Sequence, residues 1–102
     1  MKLTGKCKEE FIFWMCENYP EIRRHEYETM PECAINSLII EFFDSVGIYI
    51  EVNYNVTVSK SFWCNSVSDS IFNSRTEATN EAITKANIIY NETQTPRLIT
   101  YL

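Results

Sequence analysis

The chain is poor in the residues that most enzyme motifs require. It has two glycines, three prolines and one histidine in 102 residues. Gly5 and Gly47 lie too far apart to build a glycine-rich phosphate loop. His25, set among charges, reads as a surface residue rather than as half of a nucleophile–base pair. The four cysteines, Cys7, Cys16, Cys33 and Cys64, include no CxxC pair, so a zinc cage is not expected and free, partly buried thiols are. No apolar run approaches the roughly 20 residues that span a bilayer. No apolar segment follows Lys2 and Lys6 before Glu9 and Glu10, so the expectation is a cytoplasmic chain with no membrane partner. Positive charge is also scarce. Nine Lys and Arg against 14 Asp and Glu leave a formal charge of -5, which argues against binding a nucleic-acid polymer. The one dense basic run, Arg23-Arg24-His25, sits among Glu21, Glu26 and Glu28. No cofactor is implied, and the chain reads as non-enzymatic.

What remains is ordinary globular material: 45% hydrophobic residues and 23% charged, enough for one domain over residues 1–102. Four alanines against nine Asn and twelve Ile suggest an AT-rich gene. Period analysis predicts a first helix over about Thr4 to Tyr19. Cys7, Phe11, Trp14, Met15 and Tyr19 fall on one side, and Glu9, Glu10, Cys16 and Glu17 on the other. Phe13 lands among those glutamates. Pro20 ends this helix, and Pro31 opens a second that runs to about Val46 on Ile35, Leu38, Ile39, Phe42 and Val46. Ser37, Glu41 and Asp44 oppose that stripe, and Gly47 supplies the stop.

From Ile48 to Ser59 the period changes to two, which predicts one long strand. A turn at Ser59-Lys60 would return a second strand through Phe62 to Val67, with Trp63 on the apolar face. A third helix follows, opened by the Ser74…Glu77 capping box, with Ala78, Ala82, Ala86 and Ile89 in line and Ile83 and Tyr90 beside them. Residues 92–102 form a tail able to supply an edge strand. The expected fold is α+β: two N-terminal helices, an antiparallel hairpin or small sheet, and a C-terminal helix packed on it. So small a sheet also implies a homo-oligomer, unless the tail completes it.

Two stretches, FFDSVGIYI and SRTEATNEAITKANIIYNE, resemble a group of small phage and prophage accessory proteins. These share a helix stepping into a strand and an R-x-E-A…A-I-x-K-A-x-x-I-Y-N-like C-terminal helix. The resemblance implies a phage protein acting in the host cytoplasm, where such chains block host enzymes or immune signalling. It carries no catalytic signature. Two readings follow. One is a sponge that sequesters a small anionic nucleotide signal. The other is an inhibitor that covers a host enzyme with an acidic, aromatic surface. For the first, the start of the third helix is the candidate site: Ser74, Arg75 and Thr76, with Lys60 as a second cation and Trp63 or Tyr49 as a stacking face. The plain alternative is that Ser74 only caps, while Arg75 turns outward or pairs with a carboxylate such as Glu51.

Overall fold

The computed structural model describes residues 2–22 and 26–93. Arg23–His25 and the tail from residue 94, including its expected edge strand, lie outside the described residues. Helix α1 spans Gly5–Asn18, α2 Glu32–Ser45 and α3 Arg75–Thr93; strands β1 (Val52–Val56) and β2 (Ser61–Asn65) form an antiparallel hairpin between α2 and α3. A short 3-10 turn, Glu26–Thr29, joins α1 to α2. This is the expected α+β order.

The three helices bury a common core whose centre is aromatic. Phe42 meets Phe11, Trp14, Phe43 and Tyr90 at ring-centroid distances of 5.7, 5.8, 5.4 and 5.6 Å. Such pairs each contribute about 0.5–1.5 kcal/mol beyond their area burial. Phe43, fully buried, lies outside the predicted stripe of α2. Its burial follows from α2 packing against both α1 and α3, so one apolar stripe is too narrow for its contacts. The end of α2 is a full Schellman motif. Gly47 takes φ +84, its N–H bonds Asp44 O at 3.2 Å, and Ile48 N–H bonds Phe43 O at 2.9 Å.

The inner stripe of α3 runs through Ala78, Ala82 and Ala86, all fully buried, and then through Asn87 and Tyr90. Ile89 is 37% exposed, a correction to the expected stripe. The helix turns Tyr90 rather than Ile89 into the core because the next position four residues beyond Ala86 completes the ridge. Asn87 and Asn91 use their amides on α1. Thr4 is the N-cap of α1 but makes no side-chain cap of its own. Instead Thr4 N–H donates to Asn87 Oδ1 at 3.0 Å and Asn87 Nδ2 donates to Thr4 Oγ1 at 3.0 Å. Cys7 N–H donates to Asn91 Oδ1 at 2.8 Å, and Asn91 Nδ2 donates to Thr4 O at 3.0 Å. The N-cap Thr4 and one orphan donor of the first turn of α1, the Cys7 N–H, are thus satisfied from α3.

The hairpin is shorter than its periodicity suggests, five residues in β1 rather than twelve. Thr57 closes it early: its N–H and its Oγ1 donate to Lys60 O at 2.7 and 2.8 Å, and Lys60 N–H donates to Thr57 Oγ1 at 3.1 Å. The turn therefore centres on Val58-Ser59, one residue before the expected place, and the register slips by two. Trp63 stands opposite Tyr54, with ring centroids 4.9 Å apart, instead of opposite Val56. A two-residue slip preserves the face, so Trp63 keeps the side predicted for it. The outer edge of β2 is taken by Phe72, whose N–H and C=O both bond Trp63, at 2.8 and 2.9 Å. Buried Asn65 ties the hairpin to α3: its Nδ2 donates to Ala78 O at 2.8 Å, while its Oδ1 accepts the N–H groups of Val67 and Ser68.

Candidate functional site

The capping box at the head of α3 forms, with one change of partner. Ser74 Oγ accepts Glu77 N–H at 3.1 Å, and Glu77 Oε2 accepts the N–H of Asn73, one residue before the cap, at 3.2 Å. A carboxylate thus already occupies the electropositive helix start, and the Ser74 hydroxyl is engaged in the cap. An incoming anion is better served beside the helix start than on its axis.

Arg75 stands in this same first turn. A cation in the first turn opposes the helix dipole by about 0.3–1 kcal/mol. Its guanidinium lies over the Trp63 ring, 4.8 Å from the centroid, and an exposed cation–π contact returns about 0.5–1 kcal/mol. The two nearly cancel, so Arg75 is held in place with little net effect on stability. Among the described residues no carboxylate lies within ion-pair distance of it, and Glu51 is not its partner.

Beside Arg75 a groove of about 540 Å³ runs between α2 and α3, lined by Glu32, Cys33, Asn36, Ser37, Ile40, Arg75, Thr76 and Thr79. That volume lies in the range of small-ligand sites. A chain of polar contacts stiffens one wall. Asn36 Nδ2 donates to Asn80 Oδ1 at 3.2 Å, and Asn80 in turn hydrogen-bonds Glu32. That bond, and then Lys2 at 3.4 Å, hold the Glu32 carboxyl below its ordinary range. Lys2 offsets part of the Glu32 charge, while among the described residues no carboxylate lies within 4 Å of the Arg75 guanidinium at this groove.

Of the residues singled out from the sequence, Arg75, Thr76 and Trp63 come together, with Ser74 adjacent in its capping role. Lys60 does not join them. Its Nζ lies over the Phe62 ring, 5.4 Å from the centroid, and Phe62 and Trp63 point to opposite faces of β2. Tyr49 precedes β1 and is 67% exposed, away from the α2–α3 groove lining. The α2 contribution, Cys33, Asn36 and Ser37, escaped sequence reasoning because polar positions flanking an apolar stripe look like a solvated face. Among the described residues no group of three His, Cys, Asp or Glu could hold a metal ion, and no helix is long and apolar enough to cross a membrane. No protein family, curated protein or solved structure matches the chain.

Proposed function

We propose that the chain is a small, non-catalytic binding protein of phage type that sequesters an anionic, nucleotide-like ligand in the α2–α3 groove. The observation that supports this reading is Arg75, held over the Trp63 ring beside that groove with no carboxylate within 4 Å among the described residues. In this reading Arg75 holds the phosphate, the hydroxyls of Thr76, Thr79 and Ser37 add hydrogen bonds, and Ile40 supplies an apolar surface for the base. The acidic chain as a whole repels polyanions, which restricts the ligand to a small molecule. Anti-defence sequestration in the host cytoplasm is the role such a site would serve.

A thermal-shift panel of mono-, di- and cyclic nucleotides tests the reading, with alkylation of the groove-lining Cys33 as a second signal. One nucleotide should raise the melting temperature and slow alkylation at Cys33 while leaving the half-buried Cys16 unaffected. A panel without any stabilising member counts against the reading. The same proposal includes a homo-oligomer. By alternation from the Glu51–Ser66 and Thr57–Lys60 pairs, Val52, Tyr54 and Val56 turn their N–H and C=O groups to the outer edge of β1, which pairs with no strand among the described residues. That edge carries no charge or proline to discourage pairing with a second copy.

A further inference from the structure

Along one flank of the buried face of α1, a second concavity of about 430 Å³ is lined by residues of all three helices. Its floor is the aromatic core, Phe42 and Tyr90, and its walls include Trp14 and Val46. Phe13 stands at its rim with two thirds of its surface exposed, at 67%. An exposed phenylalanine on a helix is unremarkable by itself, but this one adjoins a hollow that reaches the core. Its neighbours one turn before and one turn after on the same ridge are Glu9 and Glu17, and Glu10 lies beside them. Lys6 meets Glu10 at 3.8 Å and offsets part of that charge, while Glu9 and Glu17 carry no ion pair within 4 Å among the described residues.

An apolar hollow rimmed by carboxylates selects its occupant by charge. Acidic and nucleic-acid partners are repelled, and a second copy of this chain would set the glutamates of α1 against a surface that is itself net acidic. We infer that this concavity is a docking site for a basic amphipathic segment of another protein, an apolar side chain entering beside Phe13 while flanking Lys or Arg residues meet Glu9 and Glu17. The mode is that of an amphipathic helix laid on a groove, anchored by a few large side chains. It is separate from the Arg75 groove, so either site can fail without the other.

The test is a fluorescence-anisotropy titration with a labelled Leu/Lys amphipathic helical peptide, alongside the same peptide with every Lys replaced by Glu. The basic peptide should bind and the acidic one should not. Phe13→Ala, at an exposed position that leaves the fold intact by circular dichroism, should weaken binding by at least about tenfold, as loss of an anchor does. The double variant Glu9→Gln, Glu17→Gln should weaken it and flatten its salt dependence. Glu51→Gln, on the hairpin, should change nothing, which separates the site from diffuse attraction to an acidic protein. Binding that survives Phe13→Ala, that drops equally in Glu51→Gln, or that is absent for the basic peptide overturns the inference.

Discussion

Replacing Asn87 by alanine should cost about 2 kcal/mol of stability. The amide is buried at 6% exposure and makes two hydrogen bonds of 3.0 Å with Thr4, one to its N–H and one to its hydroxyl. Each such bond contributes about 1 kcal/mol net. Thr4 is exposed, so water reaches its vacated groups and no further penalty for a buried orphan is added. With a urea slope of about 1.5 kcal/mol per molar, the unfolding midpoint falls by roughly 1.3 M. The assay is urea unfolding followed by far-ultraviolet circular dichroism, with amide hydrogen exchange as the local readout. Exchange should quicken at Thr4 and the first turn of α1, far from the substituted residue in sequence. Asn18→Ala is the control: its amide bonds only Trp14 O within the same helix, at an exposed position, and the change should stay within about 0.5 kcal/mol. A midpoint shift for Asn87→Ala as small as that of the control would refute the claim that α3 caps α1.

Ser74→Ala should cost about 1 kcal/mol by the same unfolding assay, because the hydroxyl accepts the Glu77 N–H. The Cys7 thiol is pushed up from an ordinary 9.0 to about 12, first by burial and then by Glu10. The folded protein therefore keeps this proton where the unfolded chain releases it, so the Cys7 contribution is intact below pH 9 and is lost as pH rises from there toward 12. The difference in unfolding free energy between the parent and Cys7→Ala should shrink over that alkaline range, and a difference independent of pH would contradict it. All four cysteines are free, and alkylation of unfolded, unreduced protein should mark all four. Light scattering should give a multiple of 12.0 kDa if the β1 edge pairs between copies, and a mass of 12.0 kDa would rule that pairing out.

Much of the fold was legible because its signals are local. Pro20, Gly47 and the Ser74…Glu77 box mark helix ends through backbone chemistry that depends on a few neighbouring residues. The two-residue slip of the hairpin was not legible, because it rests on the Thr57 side chain folding onto Lys60, a choice that alternation of apolar residues does not encode. Asn87 and Asn91 were unreadable for a different reason. Their partners, Thr4 and Cys7, are more than eighty residues away, and an asparagine at an inward helical position gives no sign of what it bonds. At the candidate site, Arg75 could be picked out in the sequence as the cation that opens the third helix. Its contact with Trp63 and the α2 wall of the groove became visible only once the helices were packed.

The central claim turns on Arg75, whose removal should leave stability nearly unchanged, since the cation–π contact and the dipole conflict offset each other. The direct measurement is calorimetric titration of the parent and of folded Arg75→Ala with the nucleotide that most raises the melting temperature in the panel. The account predicts measurable affinity in the parent and a loss of at least about tenfold in the variant, the scale expected when a charged hydrogen bond to phosphate is removed. Equal affinity in the two proteins would contradict it.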